Sequence, residues 1–230
     1  MNTNDRFTKI SDDYALIWNE IYASQGLSYE EFQQSIFDQV SKIANFKNLP
    51  ILDLGCGDGE TSAKFIEAGC KSIVAVDLNQ TMLDQCKARF GNKMTLVHGD
   101  VTDLSQFAPG QFPVIITGAT IHNLPRALRP KFWAEIIRLR PEIFVIGDKI
   151  ADPDPAKHAE YLASEVAAVK KAYIEKRGLI EAGKEWVEHY ATDERERLEF
   201  AEIQEGLGEF YNISIVLEMG MIKTISCQLK

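Results

Sequence analysis

A chain of 230 residues with 45% apolar side chains can build one large domain around a real core, and it carries no signature of disorder. Its formal net charge of -9 argues against non-specific binding to nucleic acid or to anionic membranes, which both need basic surface. No apolar run reaches membrane-spanning length and residues 1–20 are too polar for a leader. The four cysteines (Cys56, Cys70, Cys86, Cys227) show no metal or redox spacing. The expectation is a cytoplasmic protein with reduced thiols and no metal, as a monomer or homodimer.

Tyr14, Trp18 and Tyr22 recur at spacing four, which predicts a first helix. Phe32, Ile36, Phe37, Val40 and Ile43 predict a second over 28–44. Residues 50–54 then read as a short apolar strand that ends in glycines. An alternation follows, with a helix over 61–68, a strand over 72–77, a helix over 80–90 and a strand over 94–98. Next come a strand over 114–117, a helix over 129–138 and a strand over 143–147. Short, nearly continuous apolar strands between helices imply a parallel sheet covered on both faces. The core is therefore doubly wound α/β, with ligands expected at the carboxyl ends of the strands. Beyond Pro155 the alternation stops. One long helix is expected over 156–176, more helix over 181–209, and two closing strands over 210–229. The chain reads as a single domain in four stretches. Residues 1–46 form a helical cap, 47–150 the core, 151–209 a helical insertion suited to a substrate pocket or lid, and 210–230 the terminal strands.

The chemistry concentrates at Leu52-Asp53-Leu54-Gly55-Cys56-Gly57-Asp58-Gly59. A glycine-rich turn from strand into helix lets a ligand approach the backbone and offers free N–H groups. Dinucleotides and S-adenosylmethionine (SAM) are both bound this way. The dinucleotide pattern needs glycine at the sixth position, but Glu60 stands there and Gly59 falls one residue early. A glutamate would repel a pyrophosphate, whereas the cationic sulfonium and ammonium of SAM tolerate Asp53, Asp58 and Glu60. A plain tight turn is the alternative. Asp77 closes the second strand, where its carboxylate can accept both hydrogen bonds of a ribose diol. It could instead cap the next helix, although Asn79 is the better cap. Asp100, after the third strand, can accept from an adenine amino group or simply make a turn.

Taken in order, Ile51–Glu60, Val76–Leu83, Gly99–Leu104 and Val114–Leu124 resemble the class I SAM-dependent methyltransferases. The likeness runs over roughly residues 10–150 and again over 210–229. It implies a Rossmann-like, mostly parallel seven-stranded sheet with an antiparallel last strand, and SAM as cofactor with S-adenosylhomocysteine (SAH) as product. By this resemblance Gly55, Cys56 and Gly57, with Asp53 before them, lie at the methionine part of SAM. Asp77 holds the ribose, Leu78 packs on the adenine with Met82 nearby, and Asp100 and Val101 read the adenine edge. Thr117 and Gly118 offer backbone to the amino group. Tyr14 and Trp18 resemble an aromatic cap over the cofactor, though ordinary helix-face packing is an equal reading.

The second half is similar in layout to the carboxy-SAM synthases and relatives that act near tRNA wobble uridine, through Gly147-Asp148-Lys149, the long following helix and Ala191-Thr192-Asp193. That family holds an extra carboxylate with an arginine where Gly183 stands here, beside Lys184, so plain SAM is expected. His122, just after the fourth strand, is the candidate general base, or else a histidine bonded to backbone at a helix start. Asp148, Lys149, His189 and Tyr190 are candidate substrate-binding residues, with a buried ion pair or turn as the alternative for the first two. Residues 181–209 hold ten acidic and three basic side chains. That balance disfavours nucleic acid and suits a neutral or cationic small molecule, unless the charges only solvate a helix face. The expected activity is methyl transfer to nitrogen or oxygen of a small molecule. A tRNA-modifying relative and a non-catalytic SAM-binding protein are the alternatives.

Overall fold

The computed structural model describes residues 14–230, with the side chains of 14–17 and 191–195 outside the described set. Helix α1 (Tyr14–Ser24) and helix α2 (Tyr29–Ser41) come first. Ser28 starts α2 with a complete capping box, since its hydroxyl accepts from the N–H of Glu31 and the Glu31 carboxylate returns to the N–H of Ser28. Then follow β1 (Ile51–Leu54), α3 (Glu60–Glu67), β2 (Ile73–Asp77), α4 (Gln80–Phe90), β3 (Thr95–His98), β4 (Val114–Gly118), α5 (Arg129–Leu139) and β5 (Ile143–Lys149). The insertion comprises α6 (Pro155–Val169), α7 (Ile180–Glu196) and α8 (Phe200–Leu207), and β6 (Tyr211–Met219) and β7 (Ile222–Leu229) close the sheet.

The seven strands run in the order β3-β2-β1-β4-β5-β7-β6. The first five are parallel, β7 is antiparallel to β5, and β6 is antiparallel to β7. Order reverses between β1 and β4, so the loops after these strands diverge and leave a crevice at their carboxyl ends. Alternate residues of the strands feed two cores. Ile51, Ala75, Ile116 and Val145 pack with Phe32, Ile36, Val40 and Phe65 on one face. Leu52, Val76, Ile115 and Phe144 pack with Phe132, Trp133, Ile136, Ile203 and Leu207 on the other.

The elements differ from expectation where packing overrides local pattern. Strand β5 runs on through Lys149 because β7 pairs with it along its whole length, so Asp148 and Lys149 are strand residues. The helix expected over 156–176 changes to a π-helical segment at Lys170–Glu175. The stretch 181–209 is two helices, broken at Arg197–Glu199, where the carbonyls of Glu196 and Arg197 turn to the Arg129 guanidinium instead of continuing the helix. No helix among the described residues is long and apolar enough to cross a membrane.

Helix α2 lies close on β5 at Gly147, where an added Cβ would meet Ile36 Cδ1 at 2.5 Å and Phe32 Cε2 at 2.9 Å. Gly147→Ala is expected to destabilise the fold by about 1–3 kcal/mol through overpacking. For a chain of this size each kcal/mol lowers Tm by roughly 2–4 °C in thermal unfolding. An unchanged Tm would show that α2 rides loosely on the sheet.

Candidate functional site

The glycine loop is shaped by positive φ at Gly55 (71°), Gly57 (53°) and Gly59 (89°). The N–H groups of Gly55 and Cys56 both reach the Val76 carbonyl, at 2.8 and 3.1 Å, which fastens the loop to β2. A Cβ on Gly55 would strike Thr120, whereas one on Gly57 would meet only Met82 Cε at 3.4 Å. Gly55 therefore seals the loop against the turn after β4, and Gly57 leaves backbone bare on the open side.

That open side is a cleft of about 320 Å³, within the range of small-molecule sites. Asp77 lines it. Its Oδ2 accepts from the N–H of Gly57 at 2.7 Å and its Oδ1 from the N–H of Asn79 at 2.8 Å. Burial pushes its carboxyl above the usual range, while backbone hydrogen bonds and His98 pull the other way. Leu78 beside it is 51% exposed, an apolar side chain left uncovered at the cleft wall. Asp100 and Val101 also line it, with Asp100 Oδ1 accepting from the N–H of Thr102. Among the described lining residues there is no lysine or arginine. The carboxylates of Asp58, Glu60, Asp77 and Asp100 all face or flank the space. Glu60 is tied to Arg89 at 2.5 Å, and burial raises Asp58 to about 6. These residues fit a nucleoside carrying positive charge and would oppose a pyrophosphate: a diol acceptor, an uncovered apolar wall and bare glycine backbone, with no cation in the lining.

A second constellation sits at the ends of β4 and β5. Asp148 is fully buried and accepts three N–H groups. Its Oδ2 takes Ile121 N at 2.7 Å, and its Oδ1 takes Lys149 N at 2.7 Å and His122 Nδ1 at 2.5 Å. Because both carboxylate oxygens accept, the hydrogen of that last bond belongs to Nδ1, which leaves Nε2 of neutral His122 as an acceptor. Lys149 Nζ pairs with Glu165 at 3.0 Å and lies 3.9 Å from the centre of the Tyr190 ring.

Of the cofactor residues expected from sequence, the cleft brings together Gly55, Cys56, Gly57, Asp77, Leu78, Met82, Asp100, Val101 and Gly118. Asp53 lies beneath the loop, fully buried, holding Ser62 Oγ at 2.6 Å. Thr117 is also buried, with its hydroxyl given to the Leu54 carbonyl at 2.8 Å. Trp18 packs edge-on against Trp186 and Tyr22 instead of lining the cleft. Tyr14 opens α1, but its side chain lies outside the described residues, as do those of Ala191, Thr192 and Asp193. His122 does not line the cleft. It lines two small cavities on the other side of its turn, with Lys149 in both and His189 and Tyr190 in one. Tyr29, Thr120, Asn123 and Leu128 also line the cleft, and sequence reasoning missed them. Tyr29 reads as ordinary helix face, and the others lie in a turn without periodicity. Among the described residues no group of three or more His, Cys, Asp or Glu side chains could hold a metal ion.

Residues 51–141 match the family described as "Methyltransferase domain". The chain is 23% identical over 143 residues to an uncharacterized methyltransferase of Geobacillus sp., covering 60% of this chain and 64% of that protein. An uncharacterized protein of Haemophilus influenzae is 29% identical over 98 residues, 39% of each chain. The chain thus spans less than two thirds of the length of these curated relatives. Among solved structures, magnesium protoporphyrin IX methyltransferase from Synechocystis PCC 6803, with bound SAH, superposes over 99% of this chain and 98% of its own, at TM-score 0.67 and 14% identity. At that identity the likeness is one of fold.

Desolvation raises Asp53 from an ordinary 3.8 to about 7, partly offset by the Ser62 hydrogen bond. The folded protein therefore keeps a proton that the unfolded chain releases. On this group's account stability falls as pH rises from about 4 to about 7 and is level above. Asp53→Asn removes that dependence, so its Tm relative to the parent is expected to climb from about pH 5 to about pH 8. A difference that stays constant with pH would contradict the assignment.

Proposed function

We propose, from the match of residues 51–141 to the methyltransferase-domain family and the methyltransferase-like fold, that the chain transfers a methyl group from SAM to a nitrogen or oxygen of a small molecule. The observation that carries the cofactor reading is the Asp77 carboxylate between bare Gly57 backbone and exposed Leu78, in a cleft whose described lining holds no cation. When bound there, SAM supplies an electrophilic methyl on a sulfonium. Asp77 holds the ribose diol, Leu78 and Met82 the adenine face, and Asp100 with the N–H of Val101 the adenine edge. Gly55, Cys56, Gly57 and Gly118 would offer carbonyl oxygens to the ammonium of the amino-acid end, since the N–H groups of the first three are already donated within the loop.

The acceptor docks over the ends of β4 and β5, next to the cleft, where His122, Lys149, His189 and Tyr190 gather. SAM would supply its methyl for an in-line displacement, leaving the bonding pair on sulfur as SAH. Alignment supplies most of the rate. The Asp148 bond to Nδ1 fixes the His122 tautomer and leaves Nε2 able to accept a proton. His122 then takes the acceptor's proton as the new bond forms.

Two measurements check this. Incubation of the protein with methyl-labelled SAM and a whole-cell extract is expected to place label in the low-molecular-weight fraction. Label confined to RNA or protein would contradict a small-molecule acceptor. His122→Gln is expected to slow that transfer by about 10²–10⁴-fold while SAH binding by calorimetry stays unchanged. An unaltered rate would remove His122 from the chemistry.

A further inference from the structure

The sheet has two edges, and they are finished differently. β3 forms one edge with only four residues, and so short a strand offers little to a partner. β6 forms the other with nine residues, Tyr211–Met219. Among the described residues no backbone group of another element bonds to its outer side. The usual protections of an edge are missing as well. Residues 210–217 hold no charged side chain and no proline. Of the seven exposed large apolar side chains among the described residues, four are Phe210, Ile215, Val216 and Met219. Exposed apolar surface is thus concentrated on this one strand and the residue before it.

The ladder on the inner side says which backbone groups face out. The N–H of Lys230 donates to the Phe210 carbonyl at 3.0 Å, so Phe210 faces β7. Leu229, the partner of Tyr211, sends its N–H away from β6 to the Glu142 carbonyl at 3.0 Å. By alternation Tyr211, Ile213 and Ile215 therefore turn their N–H and C=O groups outward. Between Ile215 and Leu217 the register shifts, with Val216 as the extra residue, and this irregularity bounds the open stretch.

A row of outward N–H and C=O groups flanked by apolar side chains is matched by another strand. Charge and pattern narrow which strand. At a net charge of -9 two copies of the chain repel over most of their surface, so a contact between copies needs a stretch short of carboxylates. Within β6 the one charged residue is Glu218, near its end, and it is already paired with Lys223.

We infer that β6 pairs antiparallel with β6 of a second copy of this chain, which makes a twofold dimer with one sheet running through both copies. The strand is self-complementary about an axis at Ile213. Phe210 then lies opposite Val216 of the other copy, Tyr211 opposite Ile215, and Asn212 opposite Ser214, so apolar meets apolar and polar meets polar. The three outward-facing residues pair among themselves in this register, and no other register centred on the strand uses all of them. The start of one strand meets the end of the other. Glu218 and Lys223 of one copy come to the end where Glu209, Lys230 and Arg140 of the other stand, with Lys230 Nζ held on the Gly208 carbonyl at 2.6 Å and Arg140 acting on the Tyr211 phenol. Carboxylates and cations are therefore mixed at each end. A twofold contact uses up the long edge of both copies and closes the assembly at two. The inference does not depend on the acceptor or on the cofactor.

Sedimentation equilibrium of the full chain at micromolar concentration is expected to give twice its 25.9 kDa. Ile215→Lys and Val216→Lys change side chains that are 38% and 40% exposed, so they spare the fold. Each is expected to leave a monomer with an unchanged far-ultraviolet circular dichroism spectrum, because lysine on an edge strand blocks pairing. Ile180→Lys, at an exposed position of the insertion, is the control and stays dimeric. Hydrogen exchange followed by NMR locates the contact. The amides of Tyr211, Ile213 and Ile215 are expected to be protected in the parent and to exchange fast in Val216→Lys, while those of Asn212 and Ser214, which face β7, stay protected in both. A parent chain that remains monomeric at NMR concentration would overturn the inference. So would a dimer that survives both edge substitutions, or one whose outer β6 amides exchange freely, because its interface would lie elsewhere.

Discussion

The carboxylate of Asp77 accepts backbone N–H groups from Gly57 and Asn79 at once, so one side chain at the end of β2 ties the glycine loop to the start of α4. A loop with three residues at positive φ has no regular ladder to stiffen it. The Asp77 bonds, with those from Gly55 and Cys56 to the Val76 carbonyl, supply what the loop lacks. They also keep the carboxylate partly satisfied despite a burial that pushes its pKa upward. A ligand diol meets an acceptor already held in place, so little ordering remains to be done on binding. Asp148 repeats the device at the end of β5. It gathers Ile121, His122 and Lys149 around one buried carboxylate, which fixes the turn after β4.

Arg129 joins the insertion to this frame. Its guanidinium is fully buried and donates to the carbonyls of Leu124, Glu196 and Arg197 and to the Glu202 carboxylate. Leu124 lines the cleft and Arg197 lines a small cavity beside His122. One cation therefore joins the cleft wall to the insertion and turns the chain between α7 and α8. Removing one member of such a buried network typically costs about 3–5 kcal/mol, because the others are left without partners. The position of the insertion thus depends on the same core that shapes the cleft.

Much of this was legible in the sequence where local chemistry decides. The glycine loop, the strand-end positions of Asp77 and Asp100 and the order of core strands follow from turn chemistry and short apolar runs, and the structure keeps them. What was not legible depends on orientation. His122 sits at the expected place in the chain, but Asp148, 26 residues on, turns its ring away from the cofactor cleft. Tyr29 looks like an ordinary apolar helix position until α2 is laid beside the loop. The acid count of 181–209 does not say which acids face solvent and which, like Glu202, turn inward to Arg129. The helix break at 197–199 likewise answers to Arg129, far away in sequence.

The central claim is that this cleft takes a sulfonium nucleoside and not a dinucleotide. Calorimetric titration of the protein with SAH, and separately with NAD, tests it most directly. The account predicts saturable SAH binding at one site per chain, abolished by Asp77→Ala, and no heat with NAD. Saturable NAD binding, or no binding of SAH to a folded protein, would contradict it.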